Sequence, residues 1–138
     1  VPFATGSLGH GLSLAAGFAL SQSMRGNNSR TFCLTSDGEW QEGSTWEALI
    51  FACHRKLKNL TILVDHNGFQ GFGSTNEVAS MDPLWEKLRG FDLEIVTIEN
   101  GHNIELIQNA LVQPQDGVRA LFLRTTKGKG IHGVSGTV

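Results

Sequence analysis

The chain has 138 residues, a formal net charge of -2 and a pI of about 6.2. This charge balance, with no run of more than two Lys or Arg residues, excludes the basic surface of a nucleic-acid-binding protein. No apolar stretch reaches the roughly 18 residues of a membrane span, and the N-terminus lacks the basic-then-apolar order of a signal peptide. We therefore expect a soluble protein of one domain, with neither nucleic acid nor membrane as a partner.

Hydrophobic periodicity predicts alternating helices and strands. The first helix is expected over residues 9–24, where small and apolar side chains recur at helical spacing behind a glycine-rich entry. A short buried strand follows at residues 30–35 (RTFCLT), and a second at residues 60–64 (LTILV). Further helices are expected at residues 44–57, 83–90 and 103–112, and further strands at residues 93–98 and 118–124.

The cysteines, Cys33 and Cys53, lie in apolar runs and form no C-x-x-C pair. A free cysteine usually packs as a small hydrophobic residue. This pattern favours a reduced, cytoplasmic chain in which both thiols are core residues and neither binds a metal.

The helix predicted over residues 44–57 carries a capping motif and an apolar face. Its first residues, 44–47 (STWE), have the S-x-x-E form of a capping box. Apolar residues recur at helical spacing along one face, namely Trp46, Leu49, Ile50, Cys53 and Leu57. Phe51 directly follows Ile50, so no rotation of the helix buries all the apolar side chains behind one narrow face. Part of this surface is therefore expected to contact a partner.

Strands that alternate with helices and are almost continuously apolar are typical of α/β proteins. The predicted fold class is α/β, with a mostly parallel sheet covered by helices on both faces. The glycine-rich segment at residues 127–133 (KGKGIHG) is expected to form a loop outside the compact part.

Polar side chains follow both of the first two predicted strands, and ligands of open parallel α/β sheets bind beyond the carboxyl ends of the strands. Asp37 follows the first strand and Asn67 follows the second, 30 positions later. The intervening helix has the length of a usual crossover between neighbouring parallel strands, which would bring the two side chains together. A third candidate is the glycine-rich turn at residues 5–11, which leads into the first helix.

These residue types suit a diphosphate bound through a divalent cation. Mg²⁺ prefers octahedral oxygen ligands and is usually held by one or two carboxylates together with phosphate oxygens. The Asp37 carboxylate, the Asn67 amide oxygen and a backbone carbonyl would provide three such ligands. Glycine turns and helix N-termini supply the N–H donors that a diphosphate needs.

The complete pattern resembles that of a known family. A strand ending in G-D-G, followed one helix and one strand later by Asn, is the thiamine-diphosphate motif, present here as residues 36–38 (SDG) and Asn67. Four blocks in the same order are similar to those of transketolases: residues 5–11 (TGSLGHG), 37–43 (DGEWQEG) with 46–48 (WEA), 59–61 (NLT) and 126–130 (TKGKG). This resemblance covers nearly the whole chain and implies the thiamine-diphosphate-binding fold.

The resemblance implies a role for each residue at the two strand ends. Asp37, Asn67 and the main-chain oxygen of Phe69 would ligate Mg²⁺. Gly38 and Asn67 would also contact the diphosphate of thiamine diphosphate.

Two further roles are implied away from the metal. Three residues of the glycine turn would line the cofactor from the side, namely Gly6, Ser7 and Leu8. Glu42 matches an acidic residue that lies near the dimer interface of transketolases and links their two cofactors, so it is the candidate catalytic residue.

Some features depart from the family pattern. Ser36 stands in place of the first glycine of G-D-G, and His10 stands where transketolases commonly carry Gln. The chain begins at the glycine turn and ends soon after the last block. It is therefore expected to be one diphosphate-binding domain over residues 1–138, incomplete at both ends relative to the family.

The function implied by the resemblance is transfer of a two-carbon ketol unit between sugar phosphates. The activating glutamate of transketolases lies in a pyrimidine-binding domain with no counterpart here. Activity is therefore expected only with a pyrimidine-domain chain or C-terminal subunit, in a homo- or hetero-oligomer. Two alternatives stay open: another thiamine-diphosphate enzyme, such as a dehydrogenase E1 component or a deoxyxylulose-phosphate synthase, and a non-catalytic binding module with this fold. Residues 42–48 (EGSTWEA) favour transketolase over the other enzymes.

Ordinary structural roles are an alternative for several of these residues. Asp-Gly and Asn-Gly pairs often form turns, and a glutamate before a helix is favoured by the helix dipole regardless of function. An exposed loop is expected for Lys127 and Lys129, and the role of His132 stays open. Core or interface packing is expected for the tryptophans, Trp40, Trp46 and Trp85.

Overall fold

The computed structural model describes residues 2–136, which contain six β-strands, five α-helices and one short 3₁₀ helix. The strands are Thr31–Ser36 (β1), Leu60–His66 (β2), Phe69–Gln70 (β3), Gly73–Ser74 (β4), Leu93–Ile98 (β5) and Val118–Arg124 (β6). The α-helices are Gly11–Met24 (α1), Gly43–His54 (α2), Thr75–Ala79 (α3), Leu84–Leu88 (α4) and Ile104–Val112 (α5), and the 3₁₀ helix is Gly38–Gln41. Within these residues no helix is both long and apolar enough to cross a membrane.

Four parallel strands form the main sheet in the order β1-β2-β6-β5. β1 and β2 pair in the register that places Ser36 opposite Asp65, and β2 and β6 pair so that His66 lies opposite Arg124. Because all four strands run in the same direction, their carboxyl ends lie at one edge of the sheet. β3 and β4 form a separate antiparallel hairpin directly after the end of β2.

Helices cover both faces of the main sheet, which confirms the predicted α/β fold class. On one face, α1, α2 and α4 pack on the sheet in a cluster that includes Leu12, Leu49 and Phe122, all fully buried. On the other face, α5 packs through Ile107 against a cluster that includes Leu121. Neighbouring residues of β6 thus face opposite sides, as the period of two in a strand requires.

The predicted helices and strands are all present, with small shifts at their ends. The first helix begins at Gly11 and not at residue 9, because Gly9 has a φ of 84°, a left-handed conformation that a right-handed helix cannot contain. β2 continues to His66, beyond the predicted end at residue 64. The sequence pattern did not predict β3, β4 or α3, which are short elements between residues 69 and 79.

The capping box predicted at the start of α2 is wrong. Glu42 occupies the N-cap position without a side-chain capping bond, whereas Ser44 lies inside the helix and its hydroxyl donates to the carbonyl of Gly9 at 2.8 Å. The hydroxyl of Ser44 therefore forms a tertiary hydrogen bond and does not cap the helix. A capping box does form at α3, where Ser74 and Glu77 bond each other's main-chain N–H groups.

Cys33 and Cys53 are both free and buried, as predicted for core cysteines. Burial raises the pKa of each thiol to about 11. Neither residue is therefore a thiolate at neutral pH, the form that acts as a nucleophile or metal ligand.

Candidate functional site

The structure brings together the two polar side chains predicted at the ends of β1 and β2. Asp37 directly follows β1, and Asn67 directly follows β2. The N–H of Gly68 donates to Asp37 Oδ2 at 2.6 Å, which joins the two strand ends. The parallel register that pairs Ser36 with Asp65 accounts for this proximity.

Asp37 carries a buried carboxylate. It is 3% exposed and accepts hydrogen bonds from the N–H groups of Gly68 and Gly38. Burial raises the pKa of Asp37 above its ordinary value, although these donors and the nearby His66 lower it in part. Within residues 2–136, no Lys, Arg or His side chain forms an ion pair with Asp37. Since a buried anion without a counter-charge is unfavourable, this position fits the binding of a cation.

Asp65 holds the amide of Asn67 in one orientation. Nδ2 of Asn67 donates to Asp65 Oδ2 at 3.1 Å, and Oδ1 of Asn67 accepts from the N–H of Phe69 at 2.9 Å. The hydroxyl of Thr125, just beyond β6, donates to the other carboxylate oxygen of Asp65. Because Asp65 accepts from the amide nitrogen, the amide oxygen is the atom that Asn67 can offer to a cation. Asp65 was not predicted as a site residue. Its position at the end of β2, two residues before Asn67, was the feature of the sequence that could have indicated it.

A neighbouring side chain explains the glycine at position 38. A Cβ atom on Gly38 would lie 3.2 Å from Cβ and 3.4 Å from Oε1 of Gln70. Gln70 belongs to β3, so the hairpin packs directly against the 3₁₀ helix that begins at Gly38. Phe69 precedes Gln70 and lies beside Asn67. The carbonyl of Phe69 as a metal ligand and Gly38 as a diphosphate contact stay predictions.

Residues 5–9 are the part of the glycine-rich turn that precedes α1 and its N-cap, and they are called the glycine turn below. Gly9 attaches this turn to the segment that follows β1. The N–H of Gly9 donates to Glu39 Oε1 at 2.9 Å, and its carbonyl accepts from Ser44 Oγ at 2.8 Å. Residues 6–8 are exposed, and within the described chain no hydrogen bond joins them to the strand ends. Their contact with a cofactor stays a prediction. Glu39 was not singled out from the sequence, because its partner lies 30 positions away.

Glu42 lies at the rim of the site. It is exposed at the N-cap of α2 and makes no side-chain capping bond. A Cβ atom on Gly9 would lie 3.0 Å from Glu42 Cβ, so Glu42 directly borders the glycine turn. An exposed carboxylate at this position is accessible to a second chain, and its catalytic role stays a prediction.

The remaining candidates divide between the core and the surface. Trp40 is fully buried, and the other tryptophans are partly buried against the same cluster, which confirms core packing. The ammonium of Lys127 lies 5.7 Å from the ring centroid of Phe69, so the C-terminal loop approaches the hairpin. His132 lies in an exposed turn of that loop.

The oxygen donors at the strand ends are too few to enclose a metal ion by themselves. Within the described part of the chain, no three His, Cys, Asp or Glu side chains form a cluster that could hold a metal. Mg²⁺ requires near-octahedral oxygen coordination and is often completed by substrate phosphates. A bound diphosphate would supply the missing oxygens, so the donor set fits a metal–diphosphate pair.

Comparison with known proteins shows the family to which the chain belongs. Residues 1–137 match the family model described as "Transketolase, thiamine diphosphate binding domain". The chain is 38% identical over 134 residues to a subunit of the apulose-4-phosphate transketolase of Actinobacillus succinogenes, covering 96% of this chain and 48% of that protein. It is 36% identical over 132 residues to transketolase of Homo sapiens, covering 95% of this chain and 21% of that protein.

The similarity extends to solved structures. The crystal structure of transketolase from Campylobacter jejuni superposes with a TM-score of 0.84 at 29% identity, covering 99% of this chain and 23% of that one. The chain spans about half the length of the subunit relatives it matches, since it covers 48% of two of them.

Proposed function

Because this chain belongs to the family of transketolase thiamine diphosphate binding domains, we propose that it is the diphosphate-binding half of a transketolase-like enzyme. It binds thiamine diphosphate together with Mg²⁺ and takes part in the transfer of a two-carbon ketol unit between sugar phosphates. In this proposal residues 1–138 form a single domain of that enzyme.

The observation that carries the proposal is the buried carboxylate of Asp37 beside the Asn67–Gly68 segment. Asp37 is 3% exposed and bonds the N–H of Gly68. A divalent cation would neutralise this buried charge, and Asn67 would add a neutral oxygen ligand. The same cation would attract a diphosphate, whose oxygens complete its coordination.

Each candidate residue has a defined part in this proposal. Asp37, Asn67 and the carbonyl of Phe69 hold Mg²⁺, and Gly38 lies against the diphosphate. The bound cofactor supplies the carbanion chemistry, whereas the protein supplies position and charge. Glu42 acts at the contact with a second chain, where its exposure at the rim makes it accessible. The glycine turn lines the rest of the cofactor through Gly6, Ser7 and Leu8.

A calorimetric titration of the chain with thiamine diphosphate tests this function. We expect binding in the presence of Mg²⁺ and loss of binding when EDTA removes the metal. Absence of binding under both conditions would refute the proposal and leave a non-catalytic module with this fold.

The proposed partner is a pyrimidine-domain chain or C-terminal subunit, in a homo- or hetero-oligomer. Two similar proteins are named as transketolase subunits, one for apulose 4-phosphate and one for 6-deoxy-6-sulfo-D-fructose. A cytoplasmic location is also part of the proposal. It is supported by the two free cysteines, because exposure to an oxidising compartment favours disulfides.

The 138-residue chain alone is expected to show no ketol transfer. The family model that matches residues 1–137 describes a thiamine diphosphate binding domain, and the proposed enzyme also requires a pyrimidine domain. Activity measured with a ketose phosphate donor and an aldose phosphate acceptor should appear only when a pyrimidine-domain partner is added. Turnover by the purified chain alone, free of contaminating enzyme, would contradict this expectation.

The outer surface of α1 and α2 is expected to bind the partner or a second copy. On α2, Ile50 is 57% exposed and Phe51 is 42% exposed, and on α1, Phe18 is 42% exposed. Aromatic residues at the centre of an interface contribute most of its binding energy. Phe51→Glu should therefore weaken association by about tenfold or more, as measured by analytical ultracentrifugation with and without cofactor.

Val112→Glu is the matched control for this surface. Val112 is 71% exposed, and it ends α5, which packs on the opposite face of the sheet. Association of this variant should equal that of the parent chain. A parent chain that stays monomeric at all concentrations and ignores a pyrimidine-domain partner would rule out the interface.

A further inference from the structure

A second buried carboxylate lies two residues after Asp37. Glu39 is 7% exposed within the 3₁₀ helix, and no Lys, Arg or His of residues 2–136 forms an ion pair with it. Its N–H donates to Ser36 Oγ at 3.2 Å, and its carbonyl accepts from Thr45 Oγ1 at 2.8 Å. The main chain that carries this carboxylate is therefore fixed relative to β1 and α2.

The carboxylate of Glu39 bonds the glycine turn. Oε1 accepts from the N–H of Gly9 at 2.9 Å, while Ser44 Oγ donates to the carbonyl of Gly9 at 2.8 Å. Gly9 has a φ of 84°, which favours glycine. A Cβ atom at this position would lie 2.3 Å from Ser44 Oγ. Gly9 is thus held on both sides, with no room for a side chain.

Glu39 also lies at the N-terminal end of α1. His10 is the N-cap of α1 and makes no side-chain capping bond, and the first turn of the helix contains no acidic residue. A Cβ atom on Gly11 would lie 3.7 Å from Glu39 Oε1, so the carboxylate borders the start of the helix. A negative charge is stabilised at a helix N-terminus, and a charge-assisted bond is stronger than a neutral one. Glu39 therefore supplies to α1 the anion that its own sequence lacks.

We propose that Glu39 is a positioning residue that holds the glycine turn against the segment carrying Asp37, so that both segments contact one molecule of thiamine diphosphate. This inference rests on the proposed function. Residues 6–8 are exposed, and the attachment of the turn to the strand ends runs through Gly9. Loss of the bond to Glu39 leaves Gly9 held by Ser44 alone, whereas the bonds of Asp37 to Gly68 and of Asn67 to Asp65 do not involve Glu39.

Hydrogen exchange of the metal-free chain tests the structural part of this proposal. Glu39→Leu removes the acceptor, and we expect faster amide exchange over residues 5–9 with unchanged exchange over residues 65–70. Glu39→Gln keeps an acceptor oxygen but not the charge, and exchange in the turn should be slower than in Glu39→Leu. Equal exchange over residues 5–9 in the parent and Glu39→Leu chains would overturn the proposal, whether or not the chain binds a cofactor.

Two ligands test the glycine turn and the metal site separately. Mg²⁺ with inorganic pyrophosphate probes the part assigned to Asp37 and Asn67, and Mg²⁺ with thiamine diphosphate probes both parts. In calorimetric titrations we expect Glu39→Leu to bind thiamine diphosphate about tenfold more weakly or worse, with pyrophosphate affinity within about threefold of the parent. Glu39→Gln keeps an acceptor oxygen but not the charge, so its affinity for thiamine diphosphate should lie between those of the parent and Glu39→Leu.

A second variant keeps the proposal testable if Glu39→Leu fails to fold. Ser44→Ala removes the other bond to Gly9 and leaves the carboxylate in place, and it should show the same selective loss of thiamine diphosphate affinity. An equal loss for both ligands, or no loss for either, would overturn the positioning role. A parent chain that binds neither ligand would refute the proposed function and the cofactor role of Glu39 together. If the parent binds both ligands but the variants show no selective loss of thiamine diphosphate affinity, only the role of Glu39 is refuted.

Discussion

Asp37→Ala is expected to abolish Mg²⁺-dependent binding of thiamine diphosphate, with an affinity loss of at least about 100-fold. Asp37 is the buried carboxylate at the end of β1, and without it the metal lacks an anionic protein ligand. Asp65, the other carboxylate at these strand ends, is engaged by Asn67 and Thr125 and cannot replace it. Calorimetric titration measures the effect, and unchanged affinity in this variant would show that Asp37 does not hold the metal.

Asp37→Asn is the control that removes the charge of the side chain while keeping its size and shape. It should lose metal binding as Asp37→Ala does, yet the metal-free variant should unfold at a temperature no lower than the parent at neutral pH. Burial raises the pKa of Asp37. A buried acid with a raised pKa stabilises the fold when it is protonated. This stabilisation is fully present below the pKa of the unfolded state, and it is lost as the pH rises through the pKa of the folded state. The amide of Asn has no charge whose burial would be unfavourable, and its single oxygen keeps one of the two N–H bonds that Asp37 accepts.

Circular dichroism in the presence of EDTA measures this stability. A clear fall in the unfolding temperature of Asp37→Asn would mean that the carboxylate is needed for the fold itself. The loss of cofactor binding in Asp37→Ala could then not be assigned to the metal.

The two strand ends were predictable from the sequence because the governing signals are local. The apolar runs of β1 and β2 were recognisable as buried strands, and the helix between them is long enough for a parallel crossover. Parallel pairing then brings Asp37 next to the segment that begins at Asn67, as the bond from Gly68 shows. Two recognisable strands and a helix of crossover length between them were therefore sufficient to predict the proximity of these residues.

The supporting residues were not predictable, because their roles depend on contacts between distant segments. Ser44 matches the local pattern of a capping residue, but its hydroxyl bonds Gly9, 35 positions away. Asp65 bonds Thr125 across 60 positions. Neither partner follows from helical or strand periodicity, since both depend on how α1, α2 and β6 pack.

Trp40 shows how the core supports the site. The residue is fully buried, its Nε1 donates to Thr35 Oγ1 at 3.3 Å, and its carbonyl accepts from Trp46 Nε1 at 2.9 Å. Its ring makes an edge contact with Trp46, with centroids 5.6 Å apart. Because Trp40 directly follows Glu39 in the 3₁₀ helix, these contacts also fix the short segment between Asp37 and α2.

Trp40→Ala is therefore expected to lower the free energy of unfolding by about 3–5 kcal/mol, the range observed when a large buried aromatic residue is truncated. The cavity would lie directly beneath the 3₁₀ helix, so cofactor affinity should fall together with stability. Urea unfolding followed by circular dichroism measures the change. Phe72→Ala is the matched control, because Phe72 is 92% exposed and its truncation should change stability by no more than about 0.5 kcal/mol. If both variants unfold at the same urea concentration as the parent, Trp40 does not stabilise the segment that carries Asp37 and Glu39.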